Sequence, residues 1–365
     1  MNIKIKRDYG LDVLKGVGCA LMVIAHSKLK MWDYENYLIW GNLAPALFFS
    51  AAGVTAIFQI QKPFREMLAL YGAIFLFGFS YSGFLNPNFL SKLEFEIIQT
   101  IALSTLIIYV AEKYLKLNLW LYLILGFAAF GLDKLIYPLA FEKLEGIFIA
   151  PGLFPLIPWL SMFFFGVFTY RVKNIYNLII FFIIAILYYF LFGLVMPDVN
   201  AGKWQFLLDF FLFSSAFLFL SFFVVRAMDV FQNPKLNRLL IFWGTNSLLF
   251  LYIHYTFIKF FRLFELQRNI EIIWNHPWLF WILVLTASTI VMLIILFISR
   301  WFELLFRNWF TWVTLLILIF AVPFIIDKPS YITYAELLLG IPFAVYYPTL
   351  SKMLKEKFNA NHSHN

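Results

Sequence analysis

Long apolar runs, separated by short polar breaks, make up most of the chain. They fall at 10–27, 38–60, 67–85, 95–111, 117–136, 153–170, 175–196, 206–225, 239–261, 278–298, 309–326 and 331–347. A helix needs roughly 20 apolar residues to cross a bilayer, so the pattern predicts about twelve spans. The predicted fold class is therefore all-α, a polytopic membrane helix bundle. Strand-type alternation is missing, and the runs are too long for barrel strands. No internal period is visible, which argues against a solenoid and weighs mildly against repeat-built transporters.

The first run breaks the pattern. Its sequence, YGLDVLKGVGCALMVIAH at 9–26, carries Asp12, Lys15 and His26 in an otherwise apolar stretch. Asp12, Lys15, Cys19, Met22 and His26 follow 3-4-3-4 spacing, which puts them on one helix face. A charge inside a span costs a few kcal/mol, so its presence is by default a functional hypothesis. Two weaker polar sets recur later. Asn246 and His254 are eight apart in WGTNSLLFLYIHYTF, and Glu96 and Gln99 share a face at the start of the fourth run. Each has a local alternative. Asp12 and Lys15 are spaced to pair with each other. Asn246 and His254 suit interhelical hydrogen bonds, and Ser50, Ala51, Ala52 and Gly53 suit close helix packing. Acidic residues such as Glu96 favour helix starts. Tyr252 and Tyr255 read as interfacial anchors.

Composition agrees with the pattern: of 365 residues, 63% are hydrophobic and 13% charged, with mean hydropathy +0.83. A soluble chain carries about twice that charged fraction. The net charge of +8 is spread over short loops, so it reads as membrane topology rather than nucleic-acid binding. With the N-terminus inside, 17 Lys and Arg fall in inner loops and 10 in outer ones, which favours N-in and C-in. His26 then lies at the outer end of helix 1 and His254 in the outer half of the ninth run. Asp12 and Lys15 lie at the inner end, where Lys15, Arg7, Lys4 and Lys6 form a basic mouth. Such a mouth suits phosphates, and a positive-inside flank looks the same. Cys19 alone makes neither a disulfide framework nor a cysteine metal site. No secretory signal, P-loop, HExxH, GxSxG or dinucleotide motif occurs, so neither metal nor nucleotide chemistry has support. One membrane domain is expected over 1–350, with a core at 7–300 and additional helices at 301–350. A polar, frayed cytoplasmic tail is expected at 351–365, its His362 and His364 belonging to that end.

Several segments together resemble the transmembrane acyltransferase superfamily. They are DYGLDVLKG at 8–16 with the run to His26, FFSAAGV at 48–54, IQTIALS at 98–104, FPLIPW at 154–159, WGTNSL at 243–248 and YIH at 252–254. The segments at 98–104, at 154–159 and at 243–248 with 252–254 are more similar to the heparan-glucosaminide N-acetyltransferase branch than to the acyltransferase-3 branch. Lys15 stands where the family usually has Arg, which keeps the charge but loses the bidentate fork. The resemblance implies transfer of an acyl group, acetyl first, from cytoplasmic acyl-CoA to a hydroxyl or amine of a glycan at the outer face of a bacterial inner membrane. It implies His26, with His254 and Glu96, as catalytic residues. Arg7, Asp12 and Lys15 are implied at the coenzyme, and Gln99, Trp159 and Asn246 at the acceptor. From Lys15 to His26 the helical rise is about 16 Å, comparable to an extended phosphopantetheine arm. The partners implied are the lipid bilayer, acyl-CoA and a glycan, with no metal or nucleic acid; self-association stays open. The competing class is a secondary transporter or flippase, in which the same polar stripe would line a path or relay protons.

Overall fold

The computed structural model describes residues 7–27, 38–91, 93–139, 144–263 and 276–360. Over these residues the protein is helical, with a single isolated bridge between Glu145 and Ile149 and no strand. The order is α1 (Tyr9–Ser27), α2 (Leu38–Asn42), α3 (Ala44–Phe58), α4 (Phe64–Leu85), α5 (Ile97–Val110), α6 (Leu119–Ile136), α7 (Leu156–Arg171) and α8 (Asn174–Phe192). It continues with α9 (Val199–Trp204), α10 (Leu208–Ala227), α11 (Arg238–Thr245), α12 (Ser247–Leu263), α13 (Pro277–Ser299), α14 (Trp309–Ile325) and α15 (Pro329–Ala360). Among the described residues, nine helical stretches are long and apolar enough to cross a membrane, and α7 and α14 are shorter apolar helices. The chain is an integral membrane protein of the all-α polytopic class.

Three predicted elements differ in detail. The second run bends at Leu43, leaving α2 as a short helix ahead of α3. The ninth run splits into α11 and α12 at Asn246, whose φ of −107° and ψ of 31° leave the helical region. The final helix carries Pro342 and Pro348 in its interior and continues to Ala360, so the polar residues up to 360 are helical rather than frayed. Prolines are tolerated in membrane helices because neighbouring groups satisfy the carbonyls they free. His362 and His364 lie outside the described residues.

The chain divides into two compact units. The first holds the described parts of 1–54, 118–130 and 161–292. Here α1 packs against α2, α10, α11 and α12, and α10 packs on α8. The small patch in α3 is a packing surface, as its composition predicts. A Cβ on Gly53 would stand 2.5 Å from the Phe163 carbonyl oxygen of α7, and one on Gly166 would stand 2.3 Å from that of Ser50. Backbones that approach this closely leave room for hydrogen alone.

The second unit holds the described parts of 55–117, 131–160 and 293–365, with α4 against α5, α14 and α15. Glu336 of α15 is wholly buried, and among the described residues neither carboxyl oxygen makes a hydrogen bond of standard geometry. The Ser80 hydroxyl beside it donates to the Glu336 main-chain carbonyl at 3.0 Å. An unsatisfied buried polar group costs about 1–3 kcal/mol. Glu336→Met keeps the length and removes the polar atoms, so it is expected to raise the unfolding midpoint of the detergent-solubilised protein. A lower midpoint would mean that the carboxyl has a stabilising partner.

Candidate functional site

The polar stripe of α1 is a real helix face with a distinct cluster at each end. At the N-terminal end, Asp8 Oδ1 accepts the Leu11 amide at 3.3 Å and starts the helix. Asp12 takes one cation on each carboxylate oxygen: Arg7 Nε at 2.8 Å on Oδ2 and Lys15 Nζ at 3.1 Å on Oδ1. Arg7 also donates to Thr245 Oγ1 at 2.8 Å, at the end of α11. The Asp12–Lys15 pairing allowed by the spacing is therefore present, but it is shared. Two cations meet the Asp12 carboxylate, so these three side chains together carry a net positive charge. The Arg7 side chain is half exposed and available to a further anion, whereas Asp12 is buried.

Glycines set how close α11 comes to α1. A Cβ on Gly16 would lie 2.1 Å from the Leu240 carbonyl oxygen, and one on Gly244 would lie 2.0 Å from that of Asp12. Cys19, fully buried in mid-stripe, donates its thiol to the Trp243 carbonyl at 3.6 Å. Asn246 then ends α11: its side-chain Nδ2 donates to the Phe242 carbonyl at 2.8 Å, and its main-chain carbonyl accepts from the Phe250 main-chain N–H. Its side-chain nitrogen is thus engaged within its own segment, not across the bundle. The break redirects the chain into α12, which returns along α1.

At the other end of the stripe the two histidines meet. His26 Nδ1 lies 2.8 Å from His254 Nε2, although 228 positions separate them in the chain. The rings are nearly parallel, with an interplanar angle of 10°. His254 is fully buried, is stacked on Phe250, and holds its Nδ1 2.6 Å from the Phe250 carbonyl oxygen. Tyr255 sets its ring edge-on to His26, with centroids 5.0 Å apart. Arg262 donates to the His26 main-chain carbonyl in the last turn of α1.

Glu96, Gln99 and Trp159 belong to the second unit. Glu96 is the N-cap of α5 in a reciprocal capping box: its side chain accepts from the Gln99 amide, and the Gln99 side chain accepts from the Glu96 amide at 3.0 Å. Gln99 also donates to Ser82 Oγ at 3.3 Å. Both residues are buried, so the carboxylate organises a helix start inside the protein rather than at a wet surface. Trp159, in the first turn of α7, is fully buried against Phe154, and the Phe154 carbonyl accepts from the Thr100 hydroxyl. The structure thus brings Arg7, Asp12 and Lys15 into one cluster and His26 and His254 into another. It uses Glu96, Gln99 and Asn246 in local helix-end bonds. Among the described residues, no group of three or more His, Cys, Asp or Glu is arranged to hold a metal ion.

Sequence reasoning missed Tyr255, Arg262, Thr245 and the Phe250 carbonyl. Tyr255 read as a membrane anchor but touches His26, and Tyr252 is fully buried rather than interfacial. Arg262 counted only as an outer-loop charge. All four contacts involve a main-chain atom or a partner more than 200 positions away, which no periodicity reveals.

Residues 7–178, just under half of the chain, match the family model described as heparan-alpha-glucosaminide N-acetyltransferase, catalytic. The matched stretch contains Arg7, Asp12, Lys15, His26, Glu96, Gln99 and Trp159 and ends before Asn246 and His254. No curated protein and no solved structure matches the chain.

Proposed function

We propose, for a chain whose residues 7–178 carry the catalytic domain of the heparan-α-glucosaminide N-acetyltransferase-like family of transmembrane acyltransferases, that it is a membrane acetyltransferase acting on glycans. The donor in this reading is acetyl-CoA from the cytoplasm, and the acceptor is a sugar amine or hydroxyl at the outer face, most simply of a bacterial inner membrane. The observation that carries the reading is the 2.8 Å contact between His26 and His254 at one end of a membrane helix whose other end holds a cationic cluster. Imidazole is the side chain suited to proton transfer at neutral pH.

In the proposed step the acceptor nitrogen or oxygen attacks the thioester carbonyl while His26 takes its proton. The C–S bond breaks as the new C–N or C–O bond forms. The proton then passes from the imidazolium to the departing thiolate, which restores neutral His26. Arg7 and Lys15 would hold coenzyme phosphates, with Asp12 fixing both side chains. Two-step transfer through an acyl-imidazole uses the same residue and the same donor. Asn246 is proposed as a support of the acceptor region through the helix end it organises.

The test uses the purified protein, acetyl-CoA with a labelled acetyl group and an oligosaccharide ending in glucosamine. Label is expected on the sugar, and acetyl-CoA is expected to raise the thermal midpoint, with the rise lost in Lys15→Glu. Label that never leaves acetyl-CoA, together with sugar flux into liposomes that needs no coenzyme, would replace the acyltransferase reading with a transporter.

A further inference from the structure

Resting on that reading, we infer that the histidine pair is a directional relay: His26 reacts through Nε2, and His254 is a positioning residue that locks His26 in its Nδ1–H tautomer. The direction follows from one main-chain atom. The Phe250 carbonyl oxygen can only accept, and His254 Nδ1 stands 2.6 Å from it, so that nitrogen carries a hydrogen. A neutral imidazole has a single N–H, which leaves the lone pair of His254 on Nε2. His26 Nδ1, 2.8 Å away, must therefore donate to it. Neutral His26 then keeps its own lone pair on Nε2, the nitrogen turned away from His254. The tautomer of one ring is thus dictated through the other by a carbonyl four residues back along α12.

A doubly protonated His254 would keep its bond to the Phe250 carbonyl and reverse the one to His26, donating from Nε2 to His26 Nδ1. It would also place a cation at a fully buried position with no carboxylate among its hydrogen-bond partners. Among the described residues, the charged side chains seen in contact with the pair or its Tyr255 neighbour are cations: Arg262 on the His26 carbonyl, and Lys259 over the Tyr255 ring at 5.3 Å. A buried charge with no carboxylate bonded to it is the costlier arrangement. The neutral relay is therefore the resting form. When His26 accepts a proton on Nε2, its Nδ1–H bond to His254 becomes charge-assisted and shorter. His254 thus does the work that a carboxylate does beside many catalytic histidines, and it does so without placing a second charge in the membrane. The stack of Phe250 on His254 and the edge of Tyr255 on His26 flank two rings that lie nearly parallel.

Two-bond proton–nitrogen correlation spectra of 15N-histidine-labelled protein read the tautomers directly. With five histidines in the chain, His26→Gln and His254→Gln assign the two signals. Both residues are expected as Nδ1–H tautomers near neutral pH. His26 found with its hydrogen on Nε2, or His254 found doubly protonated, would overturn the relay. The second arm is kinetic. Gln at 254 offers an amide oxygen close to the former Nε2, whereas Leu offers no acceptor. His254→Gln is expected to keep the His26 signal and to stay within roughly tenfold of the wild-type kcat, while His254→Leu falls by roughly 100-fold at unchanged KM for acetyl-CoA and scrambles the His26 tautomer. Equal kcat in the two variants would overturn the positioning role. The expected tautomers in a protein that transfers no acetyl group would support the relay and overturn the acyltransferase reading, so the two fail separately.

Discussion

Purified His26→Ala protein is expected to transfer acetyl groups at no more than about one-hundredth of the wild-type rate, the scale on which a positioned general base contributes. The substitution removes the ring whose Nδ1 meets His254 and whose Nε2 faces the reacting groups in the proposed step. Little else should change. His26 sits in the last turn of α1, and its main-chain carbonyl, the atom that Arg262 holds, survives the substitution. The buried His254 Nε2 loses its partner, which costs about 1–3 kcal/mol of stability. The loss of activity must therefore be read beside the unfolding midpoint of the same preparation. Acetyl-CoA should still stabilise the variant, because Arg7, Asp12 and Lys15 lie at the opposite end of α1 and keep their ion pairs. A rate above one-tenth of wild type in a folded, coenzyme-binding variant would remove His26 from the chemistry.

Much of this site was legible in the sequence because α1 writes it along one helix. The 3-4-3-4 spacing from Asp12 to His26 holds, and the Asp12–Lys15 pair is formed as the i,i+3 geometry allows. The loop charges also assigned His26 and His254 to one side of the membrane, and the structure brings them within hydrogen-bond distance. What stayed hidden depends on main-chain atoms and helix ends. The tautomer of His254 depends on the Phe250 carbonyl, and every residue has a carbonyl. Glu96 looks in sequence like an acid at a helix mouth, yet its carboxylate and the Gln99 side-chain oxygen both bond within the first turn of α5. Asn246 and His254, eight apart, would share a face only if the helix were continuous, and Asn246 itself ends α11. Hydropathy could not show that break, because the apolar run passes through it unchanged.

The glycines at the crossing of α1 and α11 should matter to activity almost as much as the histidine, without touching any reacting group. Gly244→Val and Gly16→Val each put a branched side chain where even a Cβ would stand 2.0 or 2.1 Å from a carbonyl oxygen of the facing helix. Main chain cannot rotate away as a side chain can, so the helices must separate. Overpacking of this kind costs about 1–3 kcal/mol and sometimes more. Separation would also pull Thr245 from Arg7, the Trp243 carbonyl from the Cys19 thiol, and α12 with His254 away from His26. Both variants are therefore expected to unfold at lower temperature and, where still folded, to lose most of their transfer rate. Gly72 of α4 is the control: a Cβ there meets nothing within 4 Å. Since alanine is favoured over glycine in a helix by about 1 kcal/mol, Gly72→Ala should hold or raise the midpoint and leave the rate alone. If Gly16→Val and Gly244→Val behaved like Gly72→Ala, the close crossing would not exist, and the contact between the histidines that depends on it would fall with it.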